Sequence, residues 1–222
     1  MTARAGHFLW VLTALAASAA PASAADGVWT FGVSGGTQGA GPEVAYRAGE
    51  YFALRANAGY LPYNRDQTVN QISYSGKLKL NSLGVAADWY PLGGGFRLTA
   101  GVRSNDNKID LAATPANSVT VGNNTYTPAQ VGTLSGTVKG NDFAPMLSVG
   151  YGGTLARGFT IGAELGVMFQ GSPKLQNYQA TGMLASDPTF QSDLQIERGR
   201  VQDKVHSYEY WPIAQIELLY RF

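Results

Sequence analysis

The feature that most constrains this chain is the alternation of apolar and polar residues in its last segment. Every second residue, counted back from the C-terminus, is apolar: Phe222, Tyr220, Leu218, Ile216 and Ala214. The residues between them are mainly polar: Arg221, Glu217 and Gln215, with Leu219 and Ile213 as exceptions. Because successive side chains of a β-strand point to opposite faces, this period of two predicts a strand with one apolar face.

The same alternation recurs upstream and predicts eight strands in total. Five further segments show it clearly: 52–60, 83–89, 96–103, 143–151 and 159–170. Two weaker segments, 28–36 and 39–47, come before them. After residue 24 there is no run of about 18 apolar residues, so the sequence offers no transmembrane helix. An even number of half-apolar strands is typical of a bacterial outer-membrane β-barrel.

The first 24 residues have the pattern of a secretory signal peptide. Arg4 and His7 precede an apolar core that runs from Phe8 to about Ala20. The small residues 22–24 then form a cleavage site near Ala24. The apolar core is shorter than the about 20 residues that a membrane-spanning helix needs. We therefore expect a signal peptide at 1–24 and a single barrel domain at 25–222.

The connections between the predicted strands support a membrane barrel. Short links at 48–50, 91–95 and 154–158 alternate with long links at 64–73, 112–133 and 174–206. Short periplasmic turns and long extracellular loops are the usual asymmetry of such barrels. Aromatic residues collect near both ends of the strands, as at the two membrane interfaces. On the turn side they are Trp29, Tyr46, Phe52, Trp89, Phe96, Tyr151, Phe159 and Tyr220, and on the loop side Tyr60, Tyr63, Tyr74, Phe143, Phe169 and Trp211.

Two of the long loops carry signals of local structure. In the link at 112–133, Gly122-Asn123 lies between two short β-prone segments and predicts a hairpin. In the link at 174–206, apolar residues share one helical face after Asp187-Pro188: Phe190, Leu194, Val201 and Val205. The predicted fold is therefore all-β, a single eight-stranded antiparallel up-and-down transmembrane β-barrel with a short helix at about 188–205.

Several short segments resemble small proteobacterial outer-membrane barrels of the OmpA-transmembrane and OmpW-like kind. They are residues 41–47 (GPEVAYR), 87–91 (ADWYP), 93–97 (GGGFR), 168–173 (MFQGSP) and 220–222 (YRF). The resemblance implies an outer-membrane location in a Gram-negative-type cell envelope. It also implies that Tyr220 and Phe222 belong to the C-terminal signal that the barrel-assembly machinery reads. Because the sequence ends at Phe222, the peptidoglycan-binding domain that follows the OmpA barrel is not expected.

The parity of the strands predicts a charged barrel interior. Seven charged residues are expected to face the lumen: Glu43, Arg55, Asp88, Arg97, Arg103, Glu164 and Glu217. Glu164 and Glu217 lie at matching depth on neighbouring strands, where they would repel each other unless a cation bridged them. We expect Arg55 or Arg103 to do so. Such a network is either a gate or proton-sensitive switch, or a polar plug that holds a narrow barrel together.

Composition excludes several function classes. Without Arg4 the chain has 15 basic residues against 15 acidic ones, so electrostatic capture of nucleic acid is not expected. There is no cysteine, and no metal-ligand spacing or cofactor motif occurs. A lipid A-modifying enzyme would need a Ser, a His and an acid, which here are Ser207, His206 and Glu209. Neighbouring residues of a strand point to opposite faces, so His206 and Ser207 would not meet.

Two non-enzymatic functions remain open at this point. The first is a structural or surface-interaction barrel, whose partners are outer-membrane lipid and lipopolysaccharide and an extracellular partner at the last two loops. The second is a passive conduit for small or apolar solutes, which Met168, Ile213 and Leu219 favour because their parity points them inward. We expect a monomer in both cases.

Overall fold

The structure, a computed structural model, describes residues 27–69, 71–153 and 157–222. The predicted signal peptide at 1–24 and most of the predicted 154–158 turn lie outside these residues. Within them there are thirteen strands and two helices. The strands are β1 (Val28–Gly36), β2 (Gly39–Ala48), β3 (Phe52–Val69), β4 (Ile72–Trp89), β5 (Phe96–Asn105), β6 (Lys108–Pro115), β7 (Val119–Val121), β8 (Asn124–Tyr126), β9 (Leu134–Lys139), β10 (Phe143–Tyr151), β11 (Gly158–Phe169), β12 (Lys174–Ala180) and β13 (Tyr210–Arg221), and the helices are α1 (Pro128–Val131) and α2 (Pro188–His206).

Eight of the strands form a closed antiparallel ring. Its order is β1, β2, β3, β4, β5, β10, β11 and β13, and β13 pairs back with β1. Each strand alternates an exposed outer residue with a buried inner one. On β11, Phe159, Ile161 and Leu165 are exposed by 76%, 73% and 63%, whereas Glu164 is exposed by 2%. The ring of antiparallel strands with apolar side chains outward is the arrangement that the alternation predicts.

The outward apolar residues form a belt that suits the thickness of a membrane. Phe159 and Phe169 mark its two ends on β11. Ten residues of a strand tilted by about 40° rise through about 25 Å, which is the height of the apolar band of outer-membrane barrels. Phe143, Tyr60 and Tyr210 are exposed at the same loop-side end as Phe169. Among the described residues, no helix combines the length and the apolar character needed to cross a membrane.

Three residues predicted for the loop-side aromatic ring lie elsewhere. Trp211 faces the interior, and its indole N–H donates to the carbonyl oxygen of Thr37 at 3.0 Å. Its place in the outward face is taken by Tyr210, whose ring lies 5.6 Å from that of Phe169. Tyr63 pairs with the inward-facing Leu78 and so lies on the opposite face from Tyr60. Tyr74 lies about 23 Å along β4 from the level of Tyr60, because seven strand residues separate the two levels.

On one side, the sheet that forms the ring continues beyond it. The predicted loop at 64–73 is instead the end of a long hairpin, in which β3 and β4 pair as far as Val69 and Ile72. The part of β4 beyond the ring pairs with β6, β6 with β9, and β9 with β12. We call this extension, with the outer part of β3, the wall. The polar run 64–68 has no alternation to reveal a strand, because neither of its faces is buried in an apolar core.

A small separate core packs against the far end of the wall, on the loop side of the molecule. The cap consists of β7, β8, α1 and α2, and its buried residues are Val121, Tyr126, Val131, Phe190 and Leu194. Helix α2, at Pro188–His206, coincides with the predicted apolar stripe, and the Asp187 side chain accepts from Phe190 N at its start. The hairpin predicted around Gly122-Asn123 is confirmed by the pairing of β7 with β8.

Helix α2 is tied to this hairpin by one carboxylate. Asp193 accepts hydrogen bonds from Tyr126 Oη at 2.6 Å, from Asn124 Nδ2 at 2.7 Å and from Asn123 N at 3.1 Å. These hydrogen bonds, that of Tyr126 first, lower the pKa of the Asp193 carboxyl. The cap is thus an ordered unit beside the outer ends of β9 and β12.

Candidate functional site

The interior of the ring holds a layer of charged side chains. Seven residues form this charged layer: Glu43, Arg55, Asp88, Arg97, Arg103, Glu164 and Glu217. Each is exposed by 4% or less, and Glu217 by 0%. They come from six different strands of the ring, so the layer spans the full width of the lumen. Buried charges are stable only when paired, and the layer must therefore be read as one network.

Arg55 on β3 is the centre of the network. Its guanidinium holds Asp88 with two bonds, from Nε to Oδ2 at 3.0 Å and from Nη2 to Oδ1 at 3.1 Å. Its Nη1 donates to Glu164 Oε2 at 2.6 Å and to Glu217 Oε1 at 3.3 Å. Glu43 Oε2 lies 3.6 Å from the same nitrogen. One arginine thus joins carboxylates from β2, β4, β11 and β13.

Arg97 completes the bridge between Glu164 and Glu217. Its Nη2 donates to Glu164 Oε2 at 3.1 Å and also to Glu217 Oε1. Arg55 or Arg103 was predicted for this bridge, and the structure shows Arg55 and Arg97. Arg103 instead donates to Asn57 Oδ1 at 2.6 Å and forms no ion pair in the described ranges. The reason is register: Arg103 lies six residues nearer the loop side of β5 than Arg97, above the level of the two glutamates.

Inward-facing glycines make room for these large side chains. A Cβ at Gly84 would lie 2.6 Å from Arg103 Nη1, and one at Gly162 would lie 2.6 Å from Glu217 Oε2. A Cβ at Gly150 would come within 3.1 Å of Arg97 Cζ. Glycine at inward parity beside a charged residue on the next strand is a sequence signal that could have predicted this packing.

A further arginine closes the turn side of the lumen. The guanidinium of Arg47 stacks on the Tyr90 ring at 3.7 Å from its centroid. It also donates to the backbone oxygens of Gly153 at 2.6 Å and Gly93 at 2.9 Å. Arg47 was not predicted as a lumen residue, because the partners of Arg47 are backbone carbonyl groups in the turns, and these leave no pattern in the sequence.

The loop side of the lumen is apolar and contains a cavity. Above the charged layer, Ala144, Met146, Met168 and Ile213 form a buried cluster, which we call the methionine layer. Met168 and Ile213 face inward as their parity predicted, and so does Leu219 at the turn side. Above the methionine layer lies a cavity of about 430 Å³, the vestibule. Its walls include Leu78, Ile109, Leu111, Val138, Tyr208 and Trp211.

The residues considered for catalysis do not converge. His206 ends α2 and is exposed, whereas it was expected at the start of the last strand, which begins at Tyr210. Glu209 Oε1 accepts from Ser172 Oγ at 2.7 Å, and Ser207 Oγ lies 3.5 Å from the carbonyl oxygen of Lys204. Within 27–69, 71–153 and 157–222 there is no group of three or more His, Cys, Asp or Glu that could hold a metal ion.

The two C-terminal aromatics lie together near the turn-side end of the barrel. The Tyr220 ring lies 4.9 Å from that of Phe222 and 4.9 Å from that of Phe159. They join the aromatic residues at the turn-side end of the belt. Their recognition by the assembly machinery stays a prediction.

Comparison with known proteins gives a likeness in fold. No family profile matches the chain, and no curated protein does so either. Among solved structures, Acinetobacter baumannii CarO2 superposes with a TM-score of 0.61 at 19% identity, over 88% of this chain and 98% of that one. Acinetobacter baumannii CarO gives a TM-score of 0.56 at 20% identity, over 87% of this chain and 97% of that one. The chain has the fold of the CarO barrels. The apolar belt on this fold is the surface that a membrane-spanning β-barrel presents to lipid.

Proposed function

We propose that the protein is a non-enzymatic outer-membrane barrel with a closed lumen and a structural or surface-interaction role. The observation that carries this proposal is the charged layer, in which Arg55 and Arg97 cross the lumen and pair with carboxylates from four strands. A network of buried side chains joined by ion pairs fills an eight-stranded barrel as a plug does. Below it, Arg47 and Tyr90 close the turn side.

The ordered wall and cap supply the surface for an interaction role. The cap has its own core, and Asp193 fixes α2 to the β7–β8 hairpin. Loops presented on a rigid scaffold commonly carry recognition. The proposal therefore places any extracellular partner on the cap and the wall, which are built from the outer part of the β3–β4 hairpin and from the connections between β5 and β10 and between β11 and β13.

Single-channel conductance of the refolded mature protein in a planar bilayer tests the closed lumen. We expect no openings at neutral or acidic pH for the native protein. Asp203→Asn, at an exposed position of α2, is the control with an equal change of charge. Discrete openings of the native protein that Glu217→Gln alters and Asp203→Asn does not would show a gated pore and overturn the proposal.

One observation favours the second candidate function, a conduit for small or apolar solutes. The vestibule is lined almost wholly by apolar side chains, and about 430 Å³ is within the usual range of small-molecule sites. The methionine layer packs against Trp211 of its wall, and Met168 in that layer is exposed by 0%. A conduit would need the methionine layer and the charged layer below it to open. The same conductance measurement therefore decides between the two candidates.

A further inference from the structure

Four lysines stand side by side on the wall, one on each of four neighbouring strands. The register pairs Lys79 of β4 with Lys108 of β6, Lys108 with Lys139 of β9, and Lys139 with Lys174 of β12. Directly opposite residues of an antiparallel pair point to the same face of the sheet. Since neighbouring strands lie about 4.8 Å apart, the four form a row about 14 Å long. We call it the lysine row.

The row lies on the face of the wall that continues the lipid-facing surface of the barrel. On β4, Lys79 has the same parity as Leu83 and Val85, which are each 51% exposed in the apolar belt. Leu80, of the opposite parity, is exposed by 2% and points to the interior. The lysine row and the belt are thus parts of one continuous outer surface.

The height of the row is that of the lipid headgroups. Tyr60, at the loop-side end of the belt, pairs with Asn81, two residues from Lys79 on β4. Two strand residues span about 7 Å. The headgroup region of a bilayer extends about 5–8 Å beyond the hydrocarbon on each side. A barrel seated with its belt in the hydrocarbon therefore holds the lysine row among the headgroups.

Nearby carboxylates neutralise only part of the charge. Lys139 Nζ lies 2.8 Å from Asp106 and 2.8 Å from Asp142, and Lys79 Nζ lies 2.7 Å from Asp110. Like charges directly opposite each other destabilise a sheet, so these contacts offset the repulsion within the row.

Two lysines of this surface form no ion pair. Lys174, at the end of the row, and Lys77, two residues from Lys79, have no such partner within the described part of the chain. Both side chains are exposed, on the same outward face. Asp66 of β3 lies opposite Ser75 on this face, so the surface carries five lysines against four aspartates, a net positive charge that an anion can neutralise.

A polar cleft adjoins the row on the side away from the belt. It has a volume of about 310 Å³, and Lys77, Lys79 and Asp110 line it. Its other polar residues carry hydroxyl or amide groups: Ser75, Ser135, Thr137, Asn177 and Gln179. Such groups donate and accept hydrogen bonds as sugar hydroxyls do. Cationic groups at headgroup height with a polar cleft beyond them match a phosphorylated sugar.

We propose that the outward face of the wall binds the phosphorylated sugar headgroup of an outer-leaflet glycolipid. The lysine row and Lys77 contact the phosphates, and the polar cleft receives the sugar. The acyl chains continue down the apolar belt, which the same surface presents. This inference rests on the proposed outer-membrane location but not on the closed lumen, because conductance and glycolipid binding are measured separately.

A double variant separates glycolipid binding from folding. Lys77→Gln/Lys174→Gln removes the two lysines that form no ion pair and leaves intact the ion pairs of Lys79, Lys139 and Lys108, whose Nζ lies 3.7 Å from Asp106. The matched control is Arg198→Gln/Lys204→Gln, which removes two positive charges from exposed positions of α2 in the cap. Both proteins are used as full-length mature barrels, refolded and checked by circular dichroism.

Native mass spectrometry of these barrels measures the retained lipid. The probes are bisphosphorylated lipid A, the same lipid A after removal of its phosphates, and phosphatidylglycerol. We expect the native barrel and the control to retain one lipid A, with an apparent affinity that falls as salt is added. Lys77→Gln/Lys174→Gln should bind it about fivefold more weakly, the equivalent of two exposed ion pairs. Dephosphorylated lipid A should bind no better to the native barrel than to this variant.

Two results would overturn the inference. Equal retention of lipid A by the Lys77→Gln/Lys174→Gln variant and its control would show that Lys77 and Lys174 make no specific contact. Retention of phosphatidylglycerol as strong as that of lipid A would show an attraction for any anionic lipid and no site for a phosphorylated sugar.

Discussion

The same strands build two very different regions of the barrel interior. In the charged layer, the cavity beside Arg55, Asn57 and Arg103 has a volume of about 10 Å³, barely enough for one water molecule. In the vestibule the cavity volume is about 430 Å³. Strand β13 contributes to both, with Glu217 in the first and Trp211 in the second.

The difference shows how one barrel can have a closed lumen and still contain a cavity at its mouth. Large charged side chains beside inward glycines fill the lumen below the methionine layer. Above it, the wall rises on one side only, while on the other side β1 and β2 are joined by Thr37 and Gln38 alone. The uneven height of the ring leaves space that no side chain fills. Stability is therefore expected to depend on the charged layer, and ligand access on the mouth.

Removal of the central arginine is the largest expected perturbation. Arg55→Met leaves the carboxylates of Asp88, Glu164 and Glu217 with only Arg97 to neutralise them. Breaking a buried ion pair by removal of one partner lowers the free energy of unfolding by about 3–5 kcal/mol. Arg103→Met is the matched control, since Arg103 touches Asn57 and Ser82 but no carboxylate of the network. Urea unfolding of both variants in lipid vesicles measures the difference.

Equal losses for the two arginine variants would contradict this account of the layer. They would mean that filling of the lumen, and not the pairing of charge, sets the stability of the lower barrel. The comparison between the two regions would then be one of volume alone.

Parity in the sequence predicted which residues enter the lumen, but not how they pair. Alternation is a property of each strand, so it placed Arg55, Arg97 and Arg103 inside from local sequence alone. Pairing depends on the stagger between strands, which is a property of the closed barrel. This is why Arg103 was considered for the bridge and Arg97 provides it.

The wall and the lysine row could not be predicted from the sequence, because both depend on the register between strands. Residues 64–68 are polar throughout, so no alternation marked them as a strand. Lys79, Lys108, Lys139 and Lys174 lie far apart in the chain and meet only through the register of four strands. Helix α2 was within reach, because its apolar stripe is local and Asp187-Pro188 is a helix start.

Large-to-small substitutions test the boundary between the filled lower lumen and the vestibule. Met168 is exposed by 0% in the methionine layer, and Met168→Ala should lower the free energy of unfolding by about 2–5 kcal/mol through the cavity that it leaves. Leu78→Ala should lower it less, because Leu78 already borders the vestibule and is half-buried. Chemical unfolding in the same vesicles gives both values. A larger loss of unfolding free energy for Leu78→Ala would show that packing around the vestibule stabilises the barrel more than the methionine layer does.

An added methyl group is the smallest and most selective test of the contrast between full and hollow. Gly84→Ala places a Cβ 2.6 Å from Arg103 Nη1 and 2.8 Å from Asn57 Oδ1. Overpacking of this kind lowers the free energy of unfolding by about 1–3 kcal/mol. Val138→Ile adds one carbon to the wall of the vestibule, where space is open, and should leave the stability within about 0.5 kcal/mol of the native value. If Gly84→Ala were equally neutral, the guanidinium of Arg103 would have room to move aside, and the lower lumen would be looser than its small cavity indicates.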